Sequence, residues 1–184
     1  MTSVHASKAG WRAAGGKTRV SVATDIARSY ISPRQVQRRR MAGGPREDRA
    51  LAVLMAGCVL MFIAQWPGLS RAAFIEPTIP LEARLGGALM GWLFIMPLLL
   101  YILAGLTHAF ARLFGGKGTW YRARMALFWA LLAASPLWLF TGLVGGFVGP
   151  GVALNLTGLA AGLAFLVIWG AGLWEAEMRD GAGA

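Results

Sequence analysis

Ala50–Trp66 reads ALAVLMAGCVLMFIAQW, seventeen residues without a charge, and GPREDR (Gly44–Arg49) stands directly before it. A helix needs about 20 apolar residues to cross the hydrocarbon of a bilayer, so this run lies at the short end of what can span, with Pro67 closing it. Three more uncharged runs follow: Leu85–Leu106, Met125–Val148 and Val152–Trp174. The fold class that results is all-α, a polytopic membrane bundle of four spans (50–66, 85–106, 125–148, 152–174), with a five-span arrangement as the alternative.

The composition agrees. Of 184 residues, 57% are hydrophobic and only 14% charged, where about 25% charged is usual for a soluble domain. The third run contains Pro136. Splitting it there would leave two pieces of about eleven residues, each too short to span, and a proline inside a span is tolerated because neighbouring groups satisfy the freed carbonyl. The reading is one kinked helix, with half-helix geometry near Gly142–Gly146 as the alternative. Outside the runs, residues 1–21 read as a disordered basic tail, 22–49 as a cytoplasmic amphipathic and basic segment, and 175–184 as a C-terminal tail. An internal start near Val20 or Val22 is one reading of the tail, and the first 49 residues lack the apolar core of a signal peptide.

The net charge of +10 is unevenly placed: residues 1–49 hold eleven Lys and Arg against three acids, and residues 111–124 hold four against none. Basic residues beside spans set orientation, so the N-terminus and the 111–124 loop are expected in the cytoplasm. Arg34, Arg38, Arg39, Arg40, Arg46, Arg49, Arg112, Lys117, Arg122 and Arg124 are the candidate topology and headgroup residues. No nucleic-acid motif accompanies this charge, so nucleic acid is not an expected partner. Within GPREDR, Gly44 reads as a helix cap and Pro45 as the first helical residue. Glu47 and Asp48 then fall in the first turn, where the helix dipole favours acids.

Upstream, VATDIARSYISP (Val22–Pro33) places Val22, Ile26 and Tyr30 at four-residue spacing. In SPRQVQRRRMAGG, Ser32 suits an N-cap and Pro33 the first helical position, with Gly43-Gly44 as the stop. Two short helices with a basic face are predicted, suited to anionic headgroups or to a protein partner.

Lipid gives helices no hydrophobic reason to associate, so small residues at four-residue spacing matter. Gly87 and Gly91, Gly142 and Gly146, and Gly158 and Gly162 are the candidate packing positions, expected to serve contacts within the bundle, with a homo-oligomer face as the alternative. No Asp, Glu, Lys or Arg interrupts a span; Gln65 and Asn155 lie near the outer surface, and Ser135 can bond back to its own helix. His108 reads as an interfacial histidine at a helix end, with Tyr101 and Arg112 on its face. GGKG (Gly115–Gly118) lacks a P-loop frame and reads as a turn. One cysteine, Cys58, and two histidines give no metal spacing, and no catalytic constellation is present. No catalytic, cofactor or metal residue is assigned, and no cofactor is expected.

Together, ISPRQVQRRRM, GPREDRALAVLMAGCVLMFIAQWP, LGGALMGWLFIMPLLLY and ALFWALLAASPLWL resemble bacterial members of the Yip family of integral membrane proteins, most of all the alphaproteobacterial branch. The likeness covers about Val22 to Trp174. It implies a multi-span helical bundle with a cytoplasmic N-terminus and supplies no catalytic residues. Eukaryotic relatives act with small GTPases in vesicle trafficking and are usually drawn with five spans; their short motifs are not evident in this sequence. The expected function is that of a non-enzymatic inner-membrane scaffold contacting lipids and a membrane or cytoplasmic protein, with a small transporter or channel component as the alternative.

Overall fold

A computed structural model describes residues 22–41, 46–113, 115–116 and 118–177. Seven α-helices account for nearly all of them: α1 (Val22–Ile31), α2 (Pro33–Met41), α3 (Glu47–Ile75), α4 (Leu81–Met90), α5 (Met96–Leu113), α6 (Trp120–Phe147) and α7 (Val152–Glu177). A π turn, Gly91–Ile95, joins α4 to α5 into one rod of 33 residues. Among the described residues, four helices are long and apolar enough to cross a membrane: α3, α4–α5, α6 and α7. With four such helices, the start of α3 and the end of α7 lie at the same end of the bundle. The predicted basic tail 1–21, the Gly43-Gly44 stop, Lys117 and the C-terminal tail beyond Glu177 lie outside the described residues.

Helix α6 is the axis. Every residue from Met125 to Ser135 is buried, on all faces of the helix. Parallel to it runs α3, in close register. Glu47 meets Arg124 at one end, Gly57 faces Leu131 in the middle, and Pro67 lies on Gly146 at the other end. The seam is tight because of glycine: a Cβ on Gly142 would run into the Ala64 carbonyl oxygen. On the antiparallel side, α5 sets Tyr101 edge-on to Phe128 at 5.0 Å between ring centroids.

The prolines explain the local backbone. Pro136 has no N–H to give the Leu132 carbonyl, and the Ser135 hydroxyl donates to that carbonyl at 2.8 Å instead. The helix therefore continues to Phe147, and the half-helix alternative near Gly142 does not occur. Pro97 stands two residues beyond the π turn. There the Met96 N–H reaches back to the Gly91 carbonyl, and the widened turn makes room for a ring that would otherwise press on the carbonyl four residues earlier.

Two expected boundaries are corrected. Pro67 does not stop the first span, because α3 continues to Ile75. One proline removes one hydrogen bond, whereas ending a helix strands several backbone groups where little water can satisfy them. The same helix begins at Glu47 with Arg46 as an extended N-cap, two residues later than expected from Gly44 and Pro45. Glu47 and Asp48 still occupy the first turn.

Candidate functional site: the N-terminal hairpin and the end it closes

Helices α1 and α2 form as the sequence dictates, broken at Ser32 between Ile31 and Pro33. They do not lie free on a surface. The pair folds back on the shared end of α6 and α7, with Val36 buried in the main core.

A closed circuit of polar contacts fixes it. Arg40 Nη2 donates to Asp25 Oδ2 at 2.8 Å. The same guanidinium stacks on Trp129, its carbon 3.4 Å from the ring centroid. Trp129 Nε1 donates to Ser29 Oγ at 2.9 Å, and Ser29 Oγ donates to the Asp25 carbonyl at 2.8 Å. One turn further on, the Tyr30 hydroxyl donates to the Ala133 carbonyl at 2.8 Å. Burial pushes the Arg40 pKa down and Asp25 pulls it back up; burial also pushes the Tyr30 hydroxyl up.

On the other flank, Arg38 Nε donates to Glu175 Oε1 at 3.0 Å, joining residues 137 positions apart. Gln37 Nε2 reaches the Ala126 carbonyl at 3.4 Å. It does so over Gly172, where a Cβ would lie 2.6 Å from that nitrogen.

This changes the reading of the arginine run. Arg40 is only 9% exposed and serves the fold rather than a headgroup, because a cation stacked on an indole and paired with a carboxylate is desolvated by both. Arg38 is half-exposed and tied to Glu175. Arg34 and Arg39 face outward, as do Arg46, Arg49 and Arg112. Arg46 pairs with Asp48 at 3.3 Å on the surface. Arg122 is half-buried. Arg124 donates to Glu47 at 2.6 Å and lies 5.7 Å above the Tyr101 ring.

His108 also departs from expectation. It is buried against α7 rather than facing outward, and its Nδ1 lies 2.6 Å from Glu177 Oε1. The second oxygen of Glu177 accepts the Gly118 N–H at 3.1 Å, and the imidazole rests beside Trp120 at 4.8 Å. The Nε2 atom of His108 is buried without a partner. Just before, α5 ends in paired backbone bonds, Gly115 N–H to Arg112 and Gly116 N–H to Ala111, with Gly115 at φ +86°. A left-handed glycine is what this helix ending requires.

Of the candidate packing glycines, Gly142 and Gly146 join α6 to α3. Gly158 has only an ordinary contact with Thr141, at 3.9 Å. Gly87, Gly91 and Gly162 have open space where a Cβ would stand, so the same spacing does not produce the same contact.

Among the described residues no three His, Cys, Asp or Glu side chains converge to hold a metal ion. The sequence pointed to Arg34–Arg40 and missed Asp25, Ser29, Gln37, Trp129, Glu175 and Glu177. Only the four-residue spacing of Asp25 and Ser29 was a local signal.

The architecture matches a known family. The Yip1 domain model covers residues 27–184. The chain belongs to the Yip1 domain family. This match begins inside α1, so the hairpin from residue 27 onward, including all of α2, lies within the Yip1 domain. No curated protein and no solved structure matches the chain.

Proposed function

We propose that this Yip1 domain protein is a non-enzymatic scaffold of a bacterial inner membrane, with its N-terminus in the cytoplasm and the α1–α2 hairpin as its docking platform. The observation that carries this reading is the fastening of the hairpin by the Asp25–Arg40–Trp129–Ser29 circuit. A fixed surface costs a partner less ordering than a loose tail does. The outward residues Arg34 and Arg39 meet anionic headgroups, and the outward Ile31 and Tyr30 add apolar contact for a protein.

Orientation is argued from charge. The hairpin end carries ten of the described arginines (28, 34, 38, 39, 40, 46, 49, 112, 122 and 124), whereas the opposite end carries Arg71 and Arg84. Basic flanks stay in the cytoplasm. The transporter alternative is disfavoured by the burial of every residue from Met125 to Ser135 on all faces of α6.

The test is a crosslinking pull-down from native membranes, comparing the wild type with Arg34→Gln/Arg39→Gln. The double variant is expected to lose partner recovery and anionic-vesicle binding while keeping its topology. Unchanged recovery and binding would end the platform reading. Solute flux by the purified protein in liposomes would favour the transporter.

A further inference from the structure

At the end of the bundle opposite the hairpin, a cleft of 420 Å³ opens between α3, α6 and α7. Its walls are largely apolar, with Met61, Trp138 and Leu154 among them, and three polar side chains converge on it: Gln65, Arg71 and Thr141. Ligand sites typically combine such a volume, an apolar lining and a few placed polar groups.

Arg71 is the telling residue. Its only hydrogen bond among the described residues is from Nη1 to the Gly146 carbonyl, at 3.3 Å. Its Nε atom is buried with no partner. The guanidinium is held over Gly149, where φ is +90° and a Cβ would meet it at 2.7 Å. The other described cation at this end, Arg84, is by contrast engaged by the Glu76 carboxylate and by the Glu76 and Ile79 carbonyls. A part-buried guanidinium without a counter-charge is costly unless an anion completes it.

Position names the anion. Arg71 stands five residues beyond Trp66, the last residue of the apolar run, so about 7 Å further along the helix. That places it at headgroup depth, where tryptophans such as Trp66 sit. From there the cleft follows α3 back toward Met61, about 15 Å from Arg71 and so about 7 Å into the apolar layer. We propose that it binds an anionic glycerophospholipid from the adjoining leaflet. The phosphate bonds the free Nη2 of Arg71, the Gln65 amide N–H serves an ester oxygen, and one acyl chain runs along Trp138 toward Met61. The site is independent of the hairpin platform, so either can fail alone.

The full-length protein in uncharged detergent is titrated with phosphatidylglycerol or phosphatidylcholine, and bound lipid is counted by native mass spectrometry. Phosphatidylglycerol is expected to bind one equivalent, about tenfold tighter than phosphatidylcholine. Arg71→Gln should remove that preference and Arg84→Gln should keep it. Since Arg71 also caps α6, Ala72→Phe serves as the second variant: it fills the cleft with Arg71 intact and should reduce binding of both lipids. Equal binding of the two lipids by the wild type, or unaltered binding by Ala72→Phe, overturns the proposal. So does full displacement by millimolar inorganic phosphate, which would mark a soluble anion as the ligand.

Discussion

The guanidinium of Arg40 lies over Trp129, its carbon 3.4 Å from the ring centroid, while its Nη2 holds Asp25 at 2.8 Å. A side chain from the basic run thus links both helices of the hairpin to the central span. Removing one partner of such a pair leaves the other charge stranded, and Asp25 is only 13% exposed. Arg40→Gln should therefore loosen residues 22–41 by about 3 kcal/mol, a roughly hundredfold rise in opening by hydrogen exchange. Asp25→Asn/Arg40→Gln should recover part of this. A single variant that exchanges like the wild type would show that the circuit does not hold the hairpin.

Tyr30 gives the hairpin a pH dependence. Its hydroxyl is pushed above the ordinary tyrosine value by burial, and it must stay protonated to donate to Ala133. A folded pKa above the unfolded one means that the contribution is complete below the unfolded value of about 10. It is lost as pH rises through the higher folded value. Alkaline release of the hairpin, followed by limited proteolysis alongside tyrosinate absorbance, should have a Tyr30-dependent step, and Tyr30→Phe should lack it.

Ser135 and Pro136 form a couple that a double-mutant cycle can separate. Ser135→Ala leaves the Leu132 carbonyl unsatisfied at a buried position and should cost about 1 kcal/mol of stability. In Ser135→Ala/Pro136→Ala a backbone N–H returns at 136 and the serine is no longer needed. The double variant should therefore melt above the single one in detergent. Additive losses would contradict this account.

The glycines should divide by contact, not by spacing. Gly142→Ala forces α3 away from α6 at Ala64 and should cost about 1–3 kcal/mol. Gly162→Ala and Gly87→Ala meet open space and should stay within about 0.5 kcal/mol of the wild type. If Gly162→Ala instead disrupts a self-associated form, α7 is an oligomer face.

Glu177 holds Gly118 by a backbone N–H at 3.1 Å. Glu177→Ala should accelerate amide exchange at Gly118 about tenfold or more, whereas Glu177→Gln, which keeps an acceptor oxygen, should fall between the two. Wild-type exchange in Glu177→Ala would mean that the tail does not fasten this loop.

What the sequence revealed was local. The spans follow from apolar runs, and α1 and α2 follow from a proline and a spacing of four, because those signals act within one turn. What it concealed was long-range. Arg38, Arg39 and Arg40 are identical in type, yet one pairs with α7, one faces outward and one is buried on α6. Nothing within ten residues distinguishes them; the partners Glu175 and Trp129 do. Gly142 and Gly162 likewise share a motif and differ only in whether another backbone lies opposite. Pro67 misled because a stop in water is a single missing bond in a bilayer. The π turn at Gly91–Ile95 had Pro97 as its signal, but a proline alone does not tell a kink from a widened turn.

The bridge between Arg38 and Glu175 has a consequence for how the chain is made. At roughly 5–20 residues per second, a ribosome that has completed α2 needs about 7–27 seconds to reach Glu175. Through that interval the hairpin lacks Trp129 and Ala133, then Gly172 and Glu175. The first helices translated are thus among the last to be fully secured, and a chain halted before its fourth crossing holds its N-terminal pair through Trp129 and Ala133 of α6, without the α7 contacts of Gly172 and Glu175.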